Sequence, residues 1–130
     1  MIVYLLSSLA GRVAVVVLLA LIAMPYVLRR NSTAMPGPYL RRMWPHFWGA
    51  YIVLALSTAH AWIAMSRTRG ANRSGILAGN AGFILLIFEV AVGLALKAES
   101  SSMRRTLRRL HFWTMTAIAG TLGIHLWLNS

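Results

Sequence analysis

Four apolar stretches take up most of this 130-residue chain. Each approaches the roughly 20 residues that a helix needs to cross a bilayer. They run from Ile2 or Arg12 to Leu28, from Met43 to Met65, from Gly75 to Leu96 and from Leu110 to Leu128. Hydrocarbon offers no water to a backbone, so each stretch must satisfy its own amides and carbonyls, and a helix does so. The strands of a membrane barrel would alternate polar and apolar residues, and these runs do not. The expected fold is all-α, a transmembrane four-helix bundle making one domain over residues 1–130.

Composition narrows the function classes. With 58% hydrophobic residues and a mean hydropathy of +0.67, the chain is not built for water. A net charge of +11 would suit nucleic acid, but the arginines fall where membrane loops belong, so no nucleic-acid partner is expected. The absence of cysteine excludes disulfides, cysteine-bound iron–sulfur clusters and covalent haem attachment within this chain.

The first stretch is interrupted by Arg12 and reads as one long or tilted helix, with Arg12 snorkelling to a surface or pairing with an acid. No basic segment precedes the apolar run, so a cleaved signal peptide is not expected. The first loop, Arg29 to Arg42, holds Met35-Pro36-Gly37-Pro38, which cannot continue a helix. The second covers Ser66 to Ser74. The third covers Lys97 to Arg109, where Ser100 to Ser102 offer a cap for the last helix. The first and third loops carry Arg29, Arg30, Arg41, Arg42, Lys97, Arg104, Arg105, Arg108 and Arg109. The other side has Arg67, Arg69 and Arg73, plus Arg12 if it lies there. Cytoplasmic loops collect basic residues, so this asymmetry predicts both termini outside, in a membrane of the bacterial cytoplasmic type.

Within this frame one pattern occurs twice. H-F-W-x(11)-H-x-W spans His46-Phe47-Trp48 to His60-Ala61-Trp62, and again His111-Phe112-Trp113 to His125-Leu126-Trp127. It uses all four histidines of the protein. Fourteen residues turn a helix by about 1400°, some 40° short of four turns, and advance it by about 21 Å. Both histidines of a segment therefore face nearly the same way, one near each membrane surface. In alternating topology the second and fourth helices run in the same direction. Equivalent positions differ by 65 residues throughout, which predicts the pairs His46 with His111 and His60 with His125. Facing imidazoles are the donor set for bis-histidine ligation of two b-type haems, and polar side chains inside a membrane are usually functional. Histidines that merely pack near helix ends are the simpler account of any one of them, but not of four at matched spacing.

Other residues are less specific. Trp48, Trp62, Trp113 and Trp127 suit both porphyrin edges and the membrane interface. On the third helix Gly79, Gly82, Leu86, Glu89 and Gly93 fall at steps of three or four and make one stripe. Gly79 and Gly93 repeat the 14-residue histidine spacing, as close approach of a flat macrocycle would need, although small residues also serve plain helix packing. Glu89, the one acid inside a span, must find a partner or lose its charge. It could bond a ligand histidine, pair with an arginine or relay protons to a quinone. Arg42 and Arg109, beside the inner histidines, could neutralise haem propionates or simply anchor the topology.

The chain thereby resembles the four-helix dihaem b-type cytochromes, above all the haem-bearing amino-terminal half of the cytochrome b of bc-type complexes, and also small cytochrome b membrane-anchor subunits. His46, His60, His111 and His125 match that family's ligand positions, and Gly79 and Gly93 its third-helix glycine pair. The first helix departs, having Gly11 alone, and the quinol-oxidising half with its Pro-Glu-x-Tyr motif is missing.

These features lead to an expected role as an electron-carrying subunit between quinone or quinol and a redox partner subunit, part of a respiratory oxidoreductase complex and without a catalytic domain of its own. Two alternatives stand beside it. One is a self-contained small cytochrome b acting on quinone, with Glu89 in proton transfer. The other is a pigment-binding or purely structural membrane subunit.

Overall fold

A computed structural model describes residues 2–30, 39–66, 72–98 and 103–129. The chain is all-α: α1 spans Ile2–Arg30, α2 Tyr39–Arg42, α3 Trp44–Met65, α4 Arg73–Ala98 and α5 Arg104–Leu128. No strand occurs among the described residues. The Met-Pro-Gly-Pro turn and the arginines at 67 and 69 lie outside them.

α1, α3 and α4 are each long and apolar enough to cross a membrane. The 25 residues of α5 are long enough, but the helix is less apolar than expected and does not join that group. Four arginines fill its first turns, and His111, Thr114, Thr116, Thr121 and His125 follow. Thr114, Thr116 and Thr121 soften this by donating to the carbonyls of Leu110, Phe112 and Ala117, so their hydroxyls do not need water.

Residues 2–30 form one helix of 29 residues, as the long-helix reading expects. Its length, about 43 Å at 1.5 Å per residue, exceeds the roughly 30 Å of hydrocarbon. Arg12 is exposed on it. Pro25 lies inside α1 and has no N–H for the Leu21 carbonyl. Pro45 sits in the first turn of α3, where a missing donor does no harm. The residue before α5 is Met103, with no side-chain cap bond, and Ser100 to Ser102 lie outside the described residues. The side-chain cap that is present belongs to α4. Asn72 Oδ1 accepts from the amides of Ser74 at 3.1 Å and Gly75 at 3.4 Å.

The chain divides into two compact units, Met1–Ile63 and Ala64–Ser130. In the first, α1 and α3 are antiparallel: Ser7 and Gly11 meet His60, while Leu21 lies over Gly49. In the second, α4 and α5 are antiparallel: Gly79 meets His125, Gly82 meets Thr121 and Gly93 approaches His111.

Both units are built on the same stripe. In α1 it is Ser7, Gly11, Ala14, Leu18, Leu21 and Pro25. In α4 it is Gly75, Gly79, Gly82, Leu86, Glu89 and Gly93, each 68 residues further on. Alternating steps of four and three keep such positions on one helix face. Ser7, Ala14, Leu18 and Leu21 are buried in one unit, Gly75, Leu86 and Glu89 in the other. The partner helices match as well, with Gly49 and Val53 buried on α3 and Thr114 and Ile118 buried at the equivalent positions of α5.

Candidate functional site

The stripe decides how the histidines are held. In the first unit the His60 ring lies against Gly11, where a Cβ would come within 3.1 Å of Nδ1. His60 Nδ1 donates to the carbonyl oxygen of Ser7 at 2.9 Å, and the Ser7 hydroxyl is 3.2 Å from the same nitrogen. In the second unit the His125 ring lies against Gly79, where a Cβ would come within 2.9 Å of Nδ1 and Cε1. His125 Nδ1 donates to the carbonyl oxygen of Gly75 at 2.8 Å.

The two arrangements are the same device. A helical carbonyl already accepts from the amide four residues later, but its oxygen has a second lone pair. A glycine at that later position removes the side chain that would cover it. An imidazole from the neighbouring helix then settles on the bare backbone and donates to that oxygen.

His111 varies the theme. It is near Gly93, with Cε1 3.8 Å from where a Cβ would stand. Its Nδ1 lies 2.8 Å from Oε1 of Glu89, four residues before that glycine, an ion-pair contact rather than an aligned hydrogen bond. Glu89 is buried and His111 about one-quarter exposed. Of the three partners open to Glu89 on sequence grounds, a histidine is the one that lies beside it. His46 is half-buried in the first turn of α3, edge-on to Phe47 at 6.2 Å between ring centres.

An acceptor at Nδ1 has a chemical consequence. A backbone carbonyl oxygen only accepts, so at His60 and His125 the hydrogen must be on Nδ1. In a neutral imidazole Nε2 then carries the lone pair, the tautomer with which histidine binds a metal. His60 and His125 both have it.

The glycines at 79 and 93 lie beside His125 and His111, as the spacing predicts. Gly11, which looked like an isolated departure from the pattern, does for His60 what Gly79 does for His125. Ser7 and Gly75 were not singled out from sequence at all. They could have been found as the residues four before a glycine that faces a histidine. Arg42 is half-buried at the end of α2, and Arg109 is exposed two residues before His111. Trp48, Trp62, Trp113 and Trp127 are all exposed, between 53% and 79%. Their exposure favours the interfacial role. Among the described residues no three or more His, Asp or Glu gather as a cage for a bare ion.

Comparison with protein-family models, with curated proteins and with solved structures found no match to this chain.

Proposed function

We propose that this chain is a membrane dihaem b-type cytochrome subunit, carrying electrons across the membrane between a quinone or quinol and a redox partner subunit. The observation that carries the proposal is the common orientation of His60 and His125, each with Nδ1 donating to a backbone carbonyl beside a glycine. Packing alone gives no reason for two imidazoles on different helices to be held alike, each with Nε2 left to ligate a metal. The residues also fit the group. Gly11, Gly79 and Gly93 leave open the space that a Cβ would fill beside three of the four rings. When bound, haem supplies a reversible one-electron change at iron, while the protein supplies ligation and orientation.

The chain's own residues have distinct tasks in this reading. His46, His60, His111 and His125 would supply the ligands for the two haems. Ser7 and Gly75 fix two of the rings, Glu89 lies against a third, and Arg42 and Arg109 offer positive charge for propionates. The arginine asymmetry favours a bacterial cytoplasmic membrane, with the first and third loops in the cytoplasm and both termini outside.

The test is an oxidised-minus-reduced spectrum of the purified full-length protein, with haem counted per chain. Two b-type haems with sharp low-spin bands are expected, and His125→Ala should remove one of them. A colourless protein, or one absorbing in the far red, would overturn the proposal in favour of a structural or pigment-binding subunit.

A further inference from the structure

The first turns of α5 run against the local preferences of a helix. Arg104 and Arg105 open it where the helix dipole is positive, and Arg108 and Arg109 then set like charge against like at a spacing of four. The first turn contains no acid, and Met103 supplies no side-chain cap bond. The chain has 13 basic residues and 2 acidic ones, so even with both acids paired 11 cations take their counter-ions from outside it. The charge is also directional. At about 100° per residue, Arg104, Arg108 and Arg105 share an arc of about 100°, with Arg109 about 40° beyond it. Arg105 and Arg108 are exposed and Arg104 half-buried. The arc's centre lies about 110° from that of Thr114 and Ile118, the buried side of the helix.

The same arc turns apolar further along the helix. Phe112 comes first, 64% exposed, and Met115, Ala119 and Gly123 continue the strip. Thr116 borders it with its hydroxyl spent on the Phe112 carbonyl at 3.0 Å. Nothing lies within 4 Å of where a Cβ on Gly123 would stand, so the strip is open as well as apolar. Phe112 and the neighbouring Trp113, both exposed, mark the level at which charge gives way to hydrocarbon. We propose that this face of α5 binds an acidic phospholipid, with its phosphate on Arg104, Arg105 and Arg108 and an acyl chain along Phe112, Met115 and Ala119. Guanidinium groups bind phosphate oxygens in pairs, and basic clusters at the end of a membrane helix attract anionic headgroups. An acidic peptide or a nucleic acid would use the charge and have no use for the strip beneath it. The site is independent of the haem reading. Arg109, which that reading gives to propionates, adds to the field and is not counted as a ligand.

The experiment places the full-length protein in phosphatidylcholine vesicles with trace spin-labelled phosphatidylglycerol or spin-labelled phosphatidylcholine. Electron spin resonance then reads how much of each label the protein holds motionally restricted. The acidic lipid should be preferred by about fivefold, the scale of one basic residue at an anionic surface, and raised salt should weaken the preference. The triple variant Arg104→Gln, Arg105→Gln, Arg108→Gln should lose most of it. Arg29→Gln, Arg30→Gln, Arg41→Gln removes the same charge elsewhere and should lose little. Circular dichroism checks that both keep their helices. If the α5 variant does not, Arg105→Gln alone, at an exposed position, should still lower the preference in part. No preference in the unaltered protein, or one that survives the loss of the α5 arginines, would overturn the proposal. Equal losses in the two triple variants would also overturn it, as they would show a general effect of charge. So would a soluble polyglutamate peptide that binds the unaltered protein, but not the α5 variant, while the two lipids are held alike.

Discussion

His60 and His125 rest on backbone because a glycine gives them room, and this makes each glycine a separate test. Adding a Cβ at Gly79 would bring it within 2.9 Å of two atoms of the His125 ring, which must then shift and loosen its bond to the Gly75 carbonyl. Gly79→Ala should destabilise the protein by about 1–3 kcal/mol, the usual range for overpacking, read as an earlier midpoint in chemical denaturation. Gly93 is different, since its nearest foreign atom is His111 Cε1 at 3.8 Å, an ordinary contact. Gly93→Ala should therefore leave the haem-free protein as stable as before, or gain up to about 1 kcal/mol of helix propensity. If a macrocycle lies beside His111, the same variant should bind less of it. Unchanged haem content in Gly93→Ala would show that this glycine serves helix packing only. The 14-residue spacing of Gly79 and Gly93 reveals both positions in the sequence. Their unequal roles are not legible there, because they depend on how far each ring lies from the neighbouring backbone.

Among the helices, α4 and α5 show how their ends are joined. Asn72 caps α4 through Oδ1, and its Nδ2 donates to the carbonyl of Leu128 in the last turn of α5 at 2.9 Å. One side chain thus satisfies an orphan amide of one helix and an orphan carbonyl of the next. Asn129 closes the same end by donating to the His125 carbonyl at 2.7 Å, and its amide occupies the space that a side chain at Gly75 would need. Asn72→Ala should cost about 1–2 kcal/mol, measured by denaturation in detergent. Because Gly75 both accepts from His125 and follows this cap by three residues, the variant should also broaden the environment of the His125 ring, visible by NMR of labelled histidine. A stability loss without any change at His125 would separate the cap from the site. Sequence alone points to a start for this helix at Gly75 and to serines as the cap of α5. Asn72 is one of several polar residues in its loop, and only the position of Leu128 gives its amide a second task.

Taken as a whole, the chain exposes much of its apolar surface. Leu9, Val16, Leu19, Ile84 and Phe112 are each more than half exposed, while Val53 is the one side chain buried to below 2% among the described residues. A surface of that kind marks a membrane protein rather than one dissolved in water. The protein should remain in the membrane fraction after alkaline carbonate and need detergent for release. Recovery in the soluble fraction would contradict the three spans. The basic residues make a further prediction, since nine of them lie at the helix ends that flank the first and third connections or in the short α2 between. Reporter fusions at both termini should read as external, and replacing Arg104, Arg105, Arg108 and Arg109 by neutral residues should weaken that bias.

The sequence by itself determined the helical class, the number of long helices and the depth at which each histidine lies along its own helix. These follow from local quantities, namely run length, hydropathy and the 3.6-residue turn, which need no knowledge of a neighbour. It also carried the stripe of α1, although with glycine at only one of the six positions that stripe does not announce itself as the counterpart of α4. What only the tertiary structure decided is which atom each imidazole donates to. The carbonyls of Ser7 and Gly75, to which His60 and His125 donate, belong to other helices, 53 and 50 residues away in the chain. A hydrogen bond is set by distances of a few tenths of an ångström, and those exist only once two helices have packed.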